Sequence, residues 1–494
     1  MGKRSLSVAL VALTLFAVLF ARPESTGAPQ GIPSRPKLVV VIIIDQFRPD
    51  YLVRFRPHFV EGGFNLLLGG ANFLNCRYDY ATTATGPGHA TLFAGTYPNI
   101  HGVIGNEWYD RSRRRVLNCV EDPEAKPVGS ELGSRGPSRA ASPRNLIGST
   151  LTDELRLASD DQSRVISVAL KDRSAVLPGG HNANAAYWYE AGSGRFVSSS
   201  YYMPNLPDWV TRFNRNSPLR EYCGKPWQAL PETPGVGGRV FSRPRTDNPC
   251  ANGEYLAWLA STPVMNDVEL KFALEAVKNE HLGEDDVTDL LSVGLSVNDY
   301  VGHQFGPYSP EVADLTLRTD RSLAEFFAQL DRLVGLTNIW IALSADHGVA
   351  PTPAYIRKHR MGLGSIRPGA VKEAVDAALV KAFGKGKWVE SVSAGYIYLN
   401  EDTLTKQRID IAAAEAVVAQ AATSVKGVHA AFTKTDLSAG AVPVSPLGQK
   451  VLNSFNAGRS GNVFIVLEPY VMVGVPDNQT THGSPWDYDA QVPL

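Results

Sequence analysis

Apolar runs of strand length recur along the chain, and three of them lead directly into acidic or imidazole side chains. The run KLVVVIII is followed by Asp45, LLSVGLSVN by Asp299, and IWIALSA by Asp346 and His347. Such runs are typical of buried strands. Because open α/β sheets place their sites beyond the carboxyl ends of parallel strands, we expect these side chains to converge at one sheet edge.

Helical periodicity lies between these strands. Residues 262–280 carry apolar positions at helical spacing, and so do residues 309–335, with Ser309 as N-cap, Pro310 at the first helical position and Gly335 as the stop. Strand-like runs lie on both sides of this second helix, which favours parallel pairing. The pattern therefore predicts an α/β fold with a mostly parallel central sheet flanked by helices.

Two stretches, at about residues 110–165 and 190–260, are interpreted as insertions that form cap segments; the first is rich in Arg, Pro, Gly and Ser. At 494 residues with 44% apolar content the chain can bury a large core, so we expect one catalytic domain over residues 37–494. The formal net charge of −1 gives no global attraction to nucleic acid or to an anionic membrane. We therefore expect no specific nucleic-acid partner.

The first residues have the pattern of an export signal. A short basic start is followed by an apolar stretch and then by small and polar residues. The alternative is a retained membrane anchor, since residues 5–21 are nearly long enough to span a bilayer. We favour a signal peptide at residues 1–27 and a linker at 28–36, which predicts a periplasmic or secreted protein without stable membrane insertion.

Four cysteines fit an oxidising compartment. An even set of four allows three pairings, and no CxxC pair indicates a zinc ribbon. Structural disulfides are therefore the favoured reading. Cys223 with Cys250 would close a loop rich in Pro and Gly, and Cys76 with Cys119 would then remain as the second pair.

The strand ends supply more metal ligands than one ion needs. Carboxylate oxygens mixed with imidazole nitrogens suit zinc better than magnesium or calcium. Six such residues imply two zinc ions. The candidate ligands are Asp45, Asp299, His303, Asp346, His347 and His482.

A threonine precedes a turn and a possible helix in the segment TTATGPGHATLFAG. Thr85 would then lie at a helix N-terminus, where free N–H groups and the helix dipole favour a phosphate. A hydroxyl near zinc can act as a nucleophile. Taken by itself, the local sequence favours an ordinary N-cap or turn residue.

Six segments in order resemble those of one family. Asp45, TGPGHA, Asn106, NDYVGH, SADHG and THGSP are similar to the motifs of the alkaline phosphatase superfamily. Their order matches its type I phosphodiesterase/nucleotide pyrophosphatase-like members. The resemblance is closest to the exported, phosphate-irrepressible alkaline phosphatases with a threonine nucleophile, and it extends from about residue 37 to 494.

The resemblance implies a role for each ligand. It assigns Asp299, His303 and His482 to one zinc ion and Asp45, Asp346 and His347 to the other. Thr85 would be the nucleophile and would also contact the second ion. The implied reaction is a ping-pong hydrolysis of phosphate monoesters to alcohol and inorganic phosphate, through a phosphothreonine.

A pair of cations separates this branch from the diesterases. By resemblance, Lys171, Arg173 and Asn106 contact phosphoryl oxygens, whereas the diesterases keep the asparagine and lack the pair. Fixed cations favour the more highly charged monoester. The sequence predicts that Lys171 and Arg173, two residues apart on an extended segment, share one face. Taken alone, Lys-Asp-Arg is more often a solvated turn.

Two alternatives stay open on the same residues. One is a phosphodiesterase or nucleotide pyrophosphatase. Another is a catalytically impaired zinc- or phosphate-binding protein, because the sequence ends soon after His482, where we expect the family's last C-terminal elements to be lacking. A sulfatase is disfavoured, since TGPGHA lacks the Cys/Ser-x-Pro-x-Arg context. We expect a monomer acting on small phosphate monoesters, with His89 and His101 in packing or hydrogen bonding.

Overall fold

The computed structural model describes residues 35–130, 140–243 and 253–494. Residues 36–494 form one compact unit. The predicted signal peptide and most of the linker lie outside the described residues. Within these residues, no helix is both long and apolar enough to cross a membrane.

The strands fall into one large sheet and several smaller ones. In chain order they are β1 (Leu38–Ile44), β2 (Glu107–Asp110), β3 (Arg115–Asn118), β4 (Pro127–Val128), β5 (Val165–Ala169), β6 (Ala185–Glu190), β7 (Arg195–Ser199), β8 (Trp227–Gln228), β9 (Val240–Ser242), β10 (Asp289–Leu295), β11 (Ile339–Ser344), β12 (Gly364–Ile366), β13 (Val389–Ser393), β14 (Tyr396–Leu399), β15 (Val428–Thr433), β16 (Val463–Leu467) and β17 (Val471–Val473).

Helices surround these sheets. In chain order they are α1 (Pro49–Arg54), α2 (Phe64–Leu68), α3 (Thr85–Ala94), α4 (Pro98–His101), α5 (Leu151–Ala158), α6 (Asp172–Gly179), α7 (Asp208–Arg215), α8 (Gly253–Leu259), α9 (Val264–Asn279), α10 (Val297–Phe305), α11 (Pro310–Leu333), α12 (Pro353–Lys358), α13 (Ala370–Phe383), α14 (Glu401–Lys406), α15 (Ile411–Thr423), α16 (Lys434–Ser438), α17 (Pro446–Ser454) and α18 (Asp487–Ala490).

The central sheet has the order β11-β1-β10-β5-β6-β7-β4. Its first five strands are parallel, while β7 and β4 add antiparallel pairs at one side. Strands β5 and β10 are buried along their whole length, as expected when helices cover both faces of a parallel sheet. This arrangement confirms the predicted α/β class.

Helices on the two faces complete the core. Apolar side chains of α9 and α11 share one cluster with alternate residues of β1, β5 and β10. Phe272 of α9 is fully buried and stacks on Phe196 with ring centroids 4.0 Å apart. Burying one such side chain stabilises the fold by roughly 1.5–3 kcal/mol. Phe93 of α3 packs with Ile43 in a separate cluster.

The helix between the strand runs begins and ends as predicted. The Ser309 side chain accepts a hydrogen bond from the Val312 N–H, and Pro310 is the first residue of α11. The helix ends at Leu333, and Gly335 follows with φ of 86°. Since glycine adopts this conformation without steric cost, the chain turns here into β11.

One cysteine prediction is wrong. Cys76 and Cys119 are free thiols. They lie in different surroundings: the Cys76 carbonyl accepts from the Val492 N–H, whereas Cys119 is buried beside Gly86. The other predicted bond involves Cys250, which lies outside the described residues.

A second, antiparallel sheet has the order β13-β14-β16-β15. Helices α13 and α15 cover it, with Val375, Leu379 and Val418 in a core of their own. The strands carry aromatic and β-branched residues, which suit a pleated surface. This layer lies in the same compact unit as the central sheet.

Candidate metal centre and active site

The predicted ligands meet where β1, β10 and β11 end. The register pairs Ile43 with Ser344 and Ile44 with Leu295, so the three strands end side by side. Asp45 follows β1 directly, Asp346 is the second residue after β11, and Asp299 lies in the first turn of α10. The predicted convergence at the carboxyl edge is therefore observed.

Asp45, Asp346 and His347 form the deep group. All three are at most 1% exposed. His347 Nε2 lies 3.3 Å from Asp45 Oδ1 and 3.6 Å from Asp346 Oδ2. These three atoms are buried and have no hydrogen-bond partner among the residues that the structure describes. Since unpaired buried polar atoms are costly, their convergence indicates a position for a cation.

Asp299, His303 and His482 form the open group. Helix α10 carries both Asp299 and His303, one turn apart. Asp299 Oδ1 lies 3.1 Å from His303 Nε2 and 3.6 Å from His482 Nε2. The His303 side chain is 34% exposed, so solvent reaches this group.

The two groups touch. The His347 and His482 rings stack with centroids 3.6 Å apart. Ligand atoms of Asp299, His347 and His482 also lie within 4.8 Å of one another. His347 can therefore face either group, and the assignment of each ligand to one ion stays a prediction.

The histidines of both groups are oriented in the same way. Nδ1 of His303, His347 and His482 lies 2.8–2.9 Å from a backbone carbonyl oxygen, and the acceptors are Thr480, Gly348 and Thr83 in that order. A carbonyl oxygen only accepts, so each Nδ1 carries the proton. Once the second ring proton is lost, each Nε2 presents a lone pair on the side of the carboxylates, as in metal-bound histidines. The donor set of carboxylate oxygens and imidazole nitrogens fits zinc.

The carboxylates dominate the electrostatics. Burial opposes the charged form of His347, but Asp346 and Asp45 outweigh it and raise the pKa of His347 to about 9. Burial together with the neighbouring His347 and His303 lowers the pKa of His482 well below its usual value. Burial also opposes the charged form of His303, but Asp299 outweighs it and raises the pKa of His303, so the carboxylates stabilise positive charge in both groups.

Thr85 is the first residue of α3, and Ala84 is the N-cap. The predicted helix N-terminus is therefore confirmed, and Thr85 is not the capping residue. A Cβ at Gly88 would overlap Asp346, so this glycine allows α3 to pack directly against the deep group. His89 Nδ1 lies 2.9 Å from the Thr85 carbonyl oxygen and 3.2 Å from Asp346 Oδ2. Through Gly88 and His89, the first turn of α3 is therefore packed against Asp346 of the deep group.

Asn106 lies on the other side of this helix start. Its Oδ1 accepts a hydrogen bond of 2.6 Å from the Gly86 N–H. Because the oxygen is used, the amide nitrogen remains to donate. A Cβ at Gly86 would come within 3.3 Å of Asn106 Oδ1, so glycine permits this close approach. Asn106 therefore presents a donor beside Thr85.

Lys171 and Arg173 lie at the start of α6, which contradicts the predicted extended segment. Lys171 is the N-cap residue, and Arg173 already lies in the first turn. Helix formation prevails because Ser174 to Gly179 pack their buried face between α3 and the sheet. The two side chains are therefore not related by strand alternation.

The two cations also differ in their partners. Lys171 Nζ lies 2.6 Å from Asp45 Oδ2 and 2.6 Å from Asp299 Oδ2, and so links the deep and open groups. Arg173 Nε is buried and has no hydrogen-bond partner in the described part of the chain. Its guanidinium lies 3.8 Å from Asp172 Oδ1. Arg173 is thus the cation with donors left for an anion.

Gln46 is a site residue that sequence reasoning missed. Its N–H donates to Asp346 Oδ1 over 3.0 Å, and its Nε2 donates to Asp299 Oδ1 over 2.6 Å. The residue is fully buried with φ of 64°. The only signal in the sequence is its place directly after Asp45.

The histidines expected to hydrogen-bond do so. His89 binds the Thr85 carbonyl, as described. His101 Nδ1 accepts from the Val103 N–H over 3.1 Å, and its Nε2 lies 3.1 Å from Thr91 Oγ1. Burial lowers the pKa of His101 to about 3. Both residues support the segment that carries Thr85.

Comparison with known proteins points to one family. Residues 39–485 match the type I phosphodiesterase/nucleotide pyrophosphatase family. The chain is 35% identical to alkaline phosphatase PafA of Elizabethkingia meningoseptica, over 93% of this chain and 86% of that protein. It is 36% identical to a protein of Myroides odoratus named a calcium-transporting ATPase, over 93% and 86%.

Alkaline phosphatase PhoV of Synechococcus elongatus is 36% identical, over 96% of this chain and 87% of that protein. The crystal structure of wild-type PafA superimposes with a TM-score of 0.85 at 32% identity. It covers 95% of this chain and 91% of PafA.

Proposed function

The chain belongs to the type I phosphodiesterase/nucleotide pyrophosphatase family, in the alkaline phosphatase branch that includes PafA, and we propose that it hydrolyses phosphate monoesters to an alcohol and inorganic phosphate. The observation that carries this proposal is the joined site. Two ligand groups meet beside a threonine at a helix N-terminus, and the Nε of Arg173 is left without a hydrogen-bond partner among the described residues.

The residues fit two zinc ions. The deep group and the open group each offer carboxylate oxygens and imidazole nitrogens. In both groups the histidine Nε2 atoms lie beside the carboxylate oxygens. Two bound zinc ions supply positive charge that favours ionisation of the attacking hydroxyl and stabilises the departing oxygen.

Thr85 is the proposed nucleophile. Its Oγ attacks phosphorus, the bond between phosphorus and the ester oxygen breaks, and the alcohol leaves with a proton. Water then attacks the phosphothreonine, which releases inorganic phosphate and restores the hydroxyl. The Gly86 N–H donates to Asn106 and Pro87 has no N–H, so the positive end of the α3 dipole is the part of this helix start that supports the phosphoryl group during both steps.

We assign substrate selection to the side chains that would contact the non-bridging oxygens of the phosphoryl group. Arg173 Nε has no hydrogen-bond partner among the described residues, and Asn106 accepts through its Oδ1, which leaves its amide nitrogen to donate. A monoester carries more negative charge on these oxygens than a diester, so a fixed cation favours it in the transition state. Lys171 has two roles. It would contact the phosphoryl oxygens, and it also links the two ligand groups by binding Asp45 and Asp299.

A variant of PafA supports this assignment of residue types. In that crystal structure a threonine, an asparagine, a lysine and an arginine are substituted together. Its threonine and asparagine are 21 positions apart, as are Thr85 and Asn106 here, and its lysine and arginine are two apart, as are Lys171 and Arg173.

The ATPase name of the Myroides relative is compatible with the same chemistry. The terminal phosphoryl group of ATP has three non-bridging oxygens, like a monoester, and Thr85 would displace ADP instead of an alcohol. We include nucleoside triphosphates among the proposed substrates. Export to the periplasm or the medium, and a monomeric state, complete the proposal.

The ratio of kcat/KM for an aryl phosphate monoester to that for the matching diester tests the proposal. The zinc-loaded protein is expected to prefer the monoester strongly. A preference for the diester would instead assign the chain to the phosphodiesterases of the family. Absence of turnover on both, with zinc bound, would favour an impaired phosphate-binding protein.

A further inference from the structure

Gln46 connects the two ligand groups through a single residue. Its backbone N–H donates to Asp346 of the deep group, while its side chain donates to Asp299 of the open group. Both acceptor atoms are Oδ1 atoms, and Asp299 Oδ1 is the oxygen that faces His303. The orientation of both carboxylates therefore depends on where Gln46 is held.

The backbone at Gln46 adopts a conformation that its residue type disfavours. A φ of 64° is left-handed, and a residue other than glycine takes it at a cost of roughly 1 kcal/mol. This conformation follows β1 directly. It turns the Gln46 N–H toward Asp346 while the side chain points toward Asp299.

The opposing helix makes room for the carboxamide. A Cβ at Gly302 of α10 would overlap Gln46 Oε1. Gly302 lies within α10, and its φ is not positive. An alanine would suit the helix better by about 1 kcal/mol. A glycine is therefore needed at position 302 because it leaves space for the Gln46 carboxamide, and not because the backbone there requires glycine.

We propose that Gln46 is a positioning residue that sets the metal affinity of the open group by orienting Asp299, with Gly302 as its matching half. This inference rests on the proposed two-zinc site. It adds that the strand end of β1 contributes a ligand of one group, through Asp45, and a hydrogen-bonded support for the other. Outer partners of ligating carboxylates typically contribute 10- to 100-fold in metal affinity, about the effect expected here.

Two substitutions separate the side chain from the backbone. Gln46→Gly relieves the positive φ, keeps the N–H donor to Asp346 and removes the donor to Asp299. Gln46→Leu keeps the backbone cost and much of the volume, without the donor. In both variants a chelator should remove one of the two zinc ions at a concentration about 10- to 100-fold lower than in the wild type.

Zinc content after equilibration with graded chelator is the measurement, and it does not depend on catalysis. The exposed Gln304, on the same helix, gives the control Gln304→Leu, which should release zinc like the wild type. A Gln46→Gly or Gln46→Leu protein that holds both ions as the wild type does would overturn the inference.

Gly302→Ala provides a second, independent test. The added methyl group should displace the carboxamide and weaken the same ion in the wild-type background. In the Gln46→Gly background it should have no further effect, since nothing remains to displace. Equal effects in both backgrounds would contradict the pairing. A wild-type protein that binds no zinc would overturn the two-zinc proposal as well, so the two failures are distinguishable.

Discussion

The deep and open groups differ in how the fold holds them. The deep group lies directly at the ends of β1 and β11, is at most 1% exposed, and is closed by the start of α3. The open group is carried by α10 and by the segment at His482, and its His303 is 34% exposed. Enclosure places the deep group beside Thr85, the proposed nucleophile, while the open group faces solvent, where a leaving group would depart.

The largest effect should follow removal of the hydroxyl beside the deep group. Thr85→Ala is expected to lower monoester kcat by about three orders of magnitude or more, because no other group forms the covalent intermediate. Zinc content should change little, since the side chains of both ligand groups remain. Thr85→Ser is the control and should retain much of the activity. Substantial turnover by Thr85→Ala would remove the threonine from the mechanism.

Ligand removal should separate the two groups. His347 faces both groups, so His347→Ala should lose most bound zinc and more than about 100-fold in activity, without recovery in excess zinc. His303 is partly exposed, so His303→Ala should lose one ion and regain part of its activity when zinc is added. Zinc content and activity across a zinc series measure this. Equal recovery of both variants would show that enclosure does not distinguish the groups.

Removal of Arg173, the cation proposed to favour monoesters, should lower activity toward one substrate class far more than toward the other. Arg173→Ala is expected to lower kcat/KM for an aryl monoester about 100-fold and for the diester much less, because its donors face the extra charge. Arg56→Ala removes an exposed arginine and should change neither. Equal losses on the two substrates would contradict the assigned role.

Strand ends and helix signals were predictable because they are local. The runs before Asp45 and Asp299 specify buried strands by themselves, and the cap at Ser309 specifies its helix. The run before Asp346 also forms a strand, but β11 lies at the sheet edge and is partly exposed, which its apolar sequence does not indicate. Gln46 and the free cysteines were not predictable. The contacts of Gln46 depend on how α10 packs beyond β1. Lys171 likewise reaches Asp45 and Asp299 only after distant strands pair.

The smallest effect concerns His101, a buried histidine outside both groups. Its pKa is lowered to about 3 by burial, so the unfolded chain binds more protons between pH 3 and its usual value near 6.5. Stability contributed by the neutral ring is therefore present above about pH 6.5 and falls as the pH drops.

His101→Asn keeps an acceptor for Val103. It should make the loss of unfolding free energy between pH 6.5 and 5 shallower, by at most about 1.4 kcal/mol per pH unit. Denaturant titrations at several pH values measure this slope. The exposed His281 gives the control His281→Asn, and an unchanged slope in His101→Asn would refute the prediction.

Titration of the metal-free protein with zinc tests whether both ligand groups must hold an ion for catalysis. Activity toward an aryl phosphate monoester is measured as phosphate release while zinc is added stepwise. We expect activity to reach its plateau at about two zinc ions per chain, because the proposed reaction needs an ion in both ligand groups. A plateau at one ion, or full activity before zinc is added, would contradict it.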